Sequence, residues 1–474
     1  MSKNSINHKK TIKILYIITL AIFILTLSTC QNPKTINYTV SIALNLPSEI
    51  TNQHQNSQKT QNSFSEYQIS KSELLIYNGE NLINSFETNN LNFSQIQLPK
   101  GNYKFVFNAY YQENSQELLF FYGTKNVNID SNTTVYIDTR LASGTANINF
   151  LTNDQNFDIT QATITLLNQA NGKILTLNSN TNNIEIYPGV WKLVPEIIAR
   201  NQTNPIDKRY SAGKEIFIYI RPSQNSRNTI TLPIPPEEKI GAIRQVNDVH
   251  DGDTFRDSNN NSYRIIGIDT PEVSAGTKPV GEFNQEAKQM LENFVNSGNG
   301  YVRVISKGTD SYGRYLVYVF NDSGKRFFEE EILKAGYARP LFYDENADPE
   351  LTPRLINAYR YAYENKNGIY SKWDTAPIIE NTTQNKDSYV GKIVWLKGTV
   401  SKISYDSSYE KWTITLDNGW AKIEIRNEEY TRLFNNENLS NLNNKQVKFY
   451  GELWNESGIY KILLRASWEY VIIN

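Results

Sequence analysis

Three short stretches in the middle of the chain set acids and arginines beside turns. They are Asp251-Gly252-Asp253-Thr254-Phe255, the run from Tyr263 through Arg264, Asp269, Thr270 and Pro271 to Glu272, and Asp310-Ser311-Tyr312-Gly313-Arg314. Taken singly, each has an ordinary structural use: Asp-Gly favours hairpins, Thr-Pro ends strands, and Tyr-Gly-Arg makes a loop. Together they suggest more. Asn259-Asn260-Asn261 can fold the strand after Thr254 back as a strand from Ser262 to Ile268, which brings Asp253 beside Asp269. Neighbouring carboxylates repel, and a hard divalent cation relieves the repulsion. Oxygen ligands without His or Cys favour calcium or magnesium over zinc. Glu272 follows Asp269 across the rigid Thr270-Pro271 step, where a general base for an attacking water belongs. Arg264 and Arg314 are permanently charged forks suited to a phosphate gaining charge. Cation, base and two forks are the parts of phosphodiester hydrolysis. Ideal alternation puts Arg264 and Asp269 on opposite faces of one strand, so their convergence requires a strand end or a bulge.

The rest of the composition narrows the alternatives. One cysteine in 474 residues excludes an intrachain disulfide framework and any Cys-built zinc or iron-sulfur site. The three histidines, His8, His54 and His250, leave little material for a histidine metal cage or a His-paired nucleophile. A net charge of -1 denies the chain the general electrostatic grip of a basic nucleic-acid binder.

Around the chemical stretches the grammar of the chain changes twice. From Tyr38 to about Pro236 only short alternating runs occur between Asn, Gly and Ser turns, which predicts β structure throughout. Residues 50–64 read as a polar loop or disordered insertion. Leu98-Pro99-Lys100-Gly101-Asn102-Tyr103-Lys104 recurs as Tyr187-Pro188-Gly189-Val190-Trp191-Lys192, and the sequels match in offset. This repeat predicts two tandem β-sandwiches, 38–142 and 143–236, read as spacers. Pro233, Pro235 and Pro236 mark a linker. From 241 to 373 short strands alternate with helical patterns, in which Ala287, Leu291, Phe294 and Val295 share one face and Leu351, Leu355, Tyr359 and Ala362 another. A second linker is expected at 374–387, and 388–474 returns to strands punctuated by Gly, as in small barrels.

At this point the residues resemble a known family, the thermonucleases of the staphylococcal nuclease-like class. The resemblance follows order and spacing: the Asp-Gly-Asp-Thr turn, the Arg264 to Glu272 strand end, the Gln285-Glu286-Ala287 helix start and Asp-x-Tyr-Gly-Arg before an apolar strand. It continues through Glu331 to Ala338 and ends at Gly368-Ile369-Tyr370-Ser371, covering about residues 242–373. It implies a five-stranded OB-type barrel with added helices, cleaving DNA and RNA with calcium. Asp253 and Asp269 would hold the ion through carboxylates and Thr270 through its backbone carbonyl. Glu272 would take the proton of the attacking water, and Arg264 and Arg314 would stabilise the transition state as 3′-phosphate ends form. Two departures stand out: Ser311 replaces a basic residue, and Phe342 and Tyr343 are only approximate counterparts of base-stacking tyrosines. With about 16 Lys and Arg against about 19 Asp and Glu, residues 241–373 should hold nucleic acid weakly. The last module resembles nucleic-acid-binding OB-folds. Trp395, Trp412, Trp420, Trp454 and Trp468 stand there either as stacking platforms or as core.

The N-terminus reads as an address. Lys9, Lys10 and Lys13 precede an apolar run from Ile14 to Leu27, too short to span a bilayer comfortably and shaped like a secretory signal. Leu27-Ser28-Thr29-Cys30 resembles a lipoprotein lipobox, which would make Cys30 the lipidated first residue of the mature chain. The expectation is a mainly β, multidomain, monomeric endonuclease that is exported. It is lipid-anchored in the cell envelope, or secreted if the lipobox is not used. The rival is a non-catalytic envelope lipoprotein that binds nucleic acid or a surface partner.

Overall fold

The computed structural model describes residues 35–47, 50, 67–178, 181–276 and 278–473. The leader, Cys30 and most of the polar insertion at 50–64 lie outside the described residues. Among the described residues no helix is long and apolar enough to cross a membrane.

The chain is mainly β, as its alternating runs predict. In strand Gly101–Glu113 the aromatics at every second position, Tyr103, Phe105, Phe107 and Tyr111, turn inward. A seven-stranded sheet spanning residues 37–141 encloses one core, and a second unit at 144–232 packs a five-stranded sheet against a three-stranded one. The two units share a device. In the first, strand Asn37–Asn45 runs parallel to strand Thr133–Leu141; in the second, strand Gly144–Thr152 runs parallel to strand Asn225–Leu232. The repeated Pro/Gly turn has the same local use in both copies: Tyr103 Oη donates to the Pro99 carbonyl at 2.9 Å, and Trp191 Nε1 donates to the Tyr187 carbonyl at 2.8 Å.

The second unit is joined to the next by buried charge. The fully buried Arg303 reaches Asp207 Oδ1 at 2.6 Å and the Asp322 carbonyl at 2.7 Å, and Lys208 pairs with Asp322 at 2.8 Å.

Residues 242–321 form a closed five-stranded barrel from strands Ala242–Val249, Thr254–Asp257, Ser262–Ile265, Tyr301–Thr309 and Tyr315–Asn321. In chain order the strands pair 1-2-3-5-4, with the third and fifth parallel, which is the OB-type arrangement. Helices Asn284–Ser297, Phe328–Ala335 and Leu351–Glu364 cover it, burying Leu291, Ile332 and Leu355 respectively. The C-terminal module repeats this order. Strand Ile393–Asp406 pairs with Lys411–Leu416 and with Gln446–Glu452, while Ala421–Arg426 runs parallel to Ile459–Leu463. The segment between the two modules, 374–387, contributes strand Ile378–Ile379 to the C-terminal sheet.

One hydrophobic core runs unbroken from the barrel into the C-terminal module, through Phe255, Leu291 and Leu355 to Leu396, Ile423 and Phe449. A polar cluster crosses the same seam. Glu469, fully buried, accepts from Tyr370 Oη at 2.8 Å and from Tyr359 Oη, and it pairs with Arg339 at 3.2 Å. Trp395 is buried against Trp373 and Tyr450. The other four C-terminal tryptophans are half-buried, with Trp468 beside Tyr359 and Tyr363. Trp412, Trp420 and Trp468 pack against the same core, whereas Trp454 lies under Lys278 Nζ, which stands 5.9 Å from its ring centre.

Candidate active site

The hairpin that carries the acids is short and tightly tied. Asp257 accepts from the Asn259 and Asn261 amides at 2.9 and 2.8 Å, which closes the turn between strands Thr254–Asp257 and Ser262–Ile265. Thr254 then faces Arg264. At the other end Asp251 Oδ1 accepts from the Asp253 amide at 3.0 Å, a side-chain-closed turn. Gly252 is required there, since a Cβ would meet Ala287 at 2.7 Å and Thr270 at 2.8 Å.

Beyond Ile265 the third barrel strand breaks. Gly267 takes φ 79°, and the chain resumes as strand Gly267–Asp269, paired with Arg339–Leu341 instead of within the barrel. The break cancels the alternation that would separate Arg264 from Asp269. Arg264 Nη2 lies 3.3 Å from Asp269 Oδ1, while its Nη1 is paired with Asp253 Oδ1. Asp253 is 2% exposed, and its other oxygen accepts from the Thr270 amide at 2.8 Å and hydroxyl at 2.9 Å.

Asp269 carries three cations. Besides Arg264, Lys278 Nζ stands 2.7 Å from Oδ1 and Arg465 Nη2 stands 2.9 Å from Oδ2. Burial pushes its carboxyl upward, but Lys278, Arg465 and Arg264 together outweigh burial and hold it down at about 2. Asp251, deeply buried, is pushed upward by desolvation, which Arg264 and His250 only partly oppose. Lys278 also lies 3.3 Å from Glu272, whose side chain keeps 34% exposure and so remains open to solvent. Arg314 is aimed by its own turn: Asp310 accepts from the Tyr312 and Arg314 amides and from Arg314 Nε at 2.8 Å. Gly313, at φ 78°, makes that turn possible.

Asp251, Arg264, Asp269, Glu272, Lys278 and Arg314 line one cleft of about 820 Å³, and the buried Asp253 meets this cleft through an ion pair with Arg264. Arg426, Leu463 and Arg465 of the C-terminal module form part of its wall. Another cleft of about 890 Å³ elsewhere on the barrel holds none of these residues. Its Tyr263 hydroxyl donates to Asp257 at 2.9 Å and accepts from Arg244 at 3.2 Å.

Asp253 and Asp269 both pair with the Arg264 guanidinium, Asp269 also with Lys278 and Arg465, and the ligands the pair could offer an ion are oxygens. This chemistry fits a hard divalent ion. Among the described residues no group of three or more His, Cys, Asp or Glu is arranged to hold a metal. A cation here would therefore draw on two carboxylates, backbone carbonyl and water.

Sequence reasoning pointed to Asp253, Arg264, Asp269, Thr270, Glu272 and Arg314; of these Arg264, Asp269, Glu272 and Arg314 line the cleft, whereas Asp253 and Thr270 are buried beside it and hydrogen-bonded to each other. It missed Lys278 and Arg465. Lys278 sits in an irregular loop without a pattern, and Arg465 lies 196 residues from the carboxylate it binds.

A closed OB-order barrel bearing acids and arginine forks at a strand break defines a class of small β-barrel hydrolase domain. The family described as staphylococcal nuclease homologue matches residues 262–372. A thermonuclease of Staphylococcus hyicus is 32% identical over 126 residues, covering 26% of this chain and 72% of the relative. A thermonuclease of Staphylococcus intermedius is 32% identical over 101 residues, 21% of this chain and 59% of its own length. Endonuclease YhcR of Bacillus subtilis is 25% identical over 253 residues, 51% of this chain and 19% of that protein. The chain belongs to the staphylococcal nuclease homologue family.

Proposed function

We propose that this chain is an exported, calcium-dependent endonuclease that hydrolyses phosphodiester bonds of DNA, and of RNA, leaving 3′-phosphate ends. Its relatives include thermonucleases and endonucleases, so a nuclease-type hydrolase is the coarse reading. The finer reading rests on one observation: Arg264 pairs with both Asp253 and Asp269, and it lines one cleft with Asp269, Glu272 and Arg314.

Calcium between Asp253, Asp269 and the Thr270 carbonyl would supply positive charge against the phosphate oxygens. The protein's own groups do the rest. Arg264 and Arg314, both on the cleft, offer their forks to the scissile phosphate and stabilise its growing charge. Glu272 takes the proton of the attacking water, and the new bond to phosphorus forms as the bond to the 5′ oxygen breaks. The 5′ oxygen takes a proton from solvent water and leaves as a hydroxyl, and the phosphate stays on the 3′ side. The Cys30 lipid anchor, attachment to the envelope and a monomeric state belong to the same proposal.

The test is incubation of the purified chain from Gln31 onward with single- and double-stranded DNA in calcium, magnesium or chelator, with analysis of the product ends. Calcium-dependent cleavage to 3′-phosphates is expected. Absence of cleavage in every condition overturns the reading.

A further inference from the structure

The C-terminal module does more than flank the nuclease barrel, because it inserts a buried guanidinium among the carboxylates. Arg465 is 3% exposed and contacts Asp269 Oδ2 at 2.9 Å. Its backbone amide donates to Glu469 Oε2 at 2.7 Å. The other oxygen of Glu469 is held by Tyr359, Tyr370 and Arg339 of the nuclease domain, so Arg465 is fixed relative to Asp269 from both modules. Its countercharge is thin. Glu429 Oε1 stands 3.9 Å from Nη1, beyond hydrogen-bonding reach, and the buried Arg465 Nε has no partner. Asp269 is thus the only carboxylate that hydrogen-bonds this guanidinium among the described residues, with Glu429 a second, more distant ion-pair partner.

We propose that Arg465 sets the calcium affinity of the nuclease site, an inference that rests on the proposed calcium dependence. It does so in two ways. It occupies Oδ2 of Asp269, leaving an ion only Oδ1, for which the ion must compete with Lys278 and Arg264. It also places a buried positive charge within a few ångströms of a dication, where repulsion is poorly screened. The site then fills only at high calcium, and the C-terminal module acts as a positioning element of the catalytic centre.

Truncation is no test, since one hydrophobic core spans both modules. The experiment is calorimetric titration of the full chain with calcium chloride alone, for the native protein, Arg465→Gln and Arg465→Met. Methionine fills similar volume without charge, and so covers the case in which glutamine fails to fold. The folded neutral variants should bind calcium about tenfold more tightly or better, because repulsion is lost and the second oxygen of Asp269 is freed. Arg465→Lys, which keeps the charge, should stay within about threefold of the native value. Unchanged or weaker binding in a folded neutral variant overturns this inference alone. No calcium binding by the native chain sinks the calcium dependence itself.

Discussion

Arg264 and Asp269 stand five positions apart on what should be one strand, yet Arg264 Nη2 lies 3.3 Å from Asp269 Oδ1 because the strand is broken at Gly267. The contact puts a guanidinium where two acids need a cation, so Arg264 has two alternative partners: the carboxylates, or a phosphate.

Arg264 and Arg314 should therefore fail differently. Arg264→Ala and Arg314→Ala are each expected to lower kcat by roughly 10² to 10³, the scale of removing one charge-stabilising group. Only Arg264→Ala should also tighten calcium binding, because Arg264 alone of the pair sits on Asp253 and Asp269. Steady-state kinetics with a calcium titration separates the two. A loss confined to KM would make them substrate-binding residues instead.

Glu272→Gln keeps the shape of the side chain and removes its basicity. A fall in kcat on the order of a hundredfold or more is expected, with calcium affinity nearly unchanged, since Glu272 stands on Lys278 rather than between the two aspartates. Rates equal to the native protein would remove Glu272 from the role of base.

Gly267→Ala tests the strand break. A Cβ there meets Leu355 Cδ1 at 2.6 Å, and φ 79° is unfavourable for alanine. A loss of about 1–3 kcal/mol in stability is expected by chemical denaturation. A loss of activity larger than the fraction unfolded explains should accompany it, because Asp269 moves with the break.

Glu452 predicts a pH effect on stability. Burial raises its carboxyl to about 7, with Arg339 opposing and Asp269 adding to the rise, whereas the unfolded chain ionises near 4.5. The neutral form belongs to the folded state. The stability it contributes is thus fully present below about 4.5 and is lost as pH rises through about 7. Glu452→Gln should flatten that decline, by up to roughly 3 kcal/mol across the interval. Denaturation midpoints of both proteins in calcium-free buffer between these limits provide the measurement, and parallel curves would refute the assignment.

The β architecture was legible because strands alternate visibly, as in Tyr103, Phe105 and Phe107, and the helix faces were legible because Leu351, Leu355, Tyr359 and Ala362 recur with helical period. The acids and forks of the cleft stood out by type and spacing. Alternation alone demanded a strand end or bulge between Arg264 and Asp269, but that the break falls at Gly267, with φ 79°, no periodicity reveals. Lys278 and Arg465 were invisible for a plainer reason: each meets Asp269 through tertiary packing, and nothing near either in sequence marks it. The tryptophans of the last module were ambiguous because base stacking and core packing ask for the same side chain. Only burial distinguishes them, as at Trp395.

In each N-terminal unit the first strand lies parallel to the last, so the chain enters at one end and leaves at the other. A pull between the N-terminus and the nuclease barrel would then slide these paired strands past one another. Their hydrogen bonds would be loaded together instead of opening singly, as they would in a hairpin pulled from its open end. Each paired strand of about nine residues spans roughly 30 Å. The paired first and last strands are therefore the part of each unit that such a pull would load.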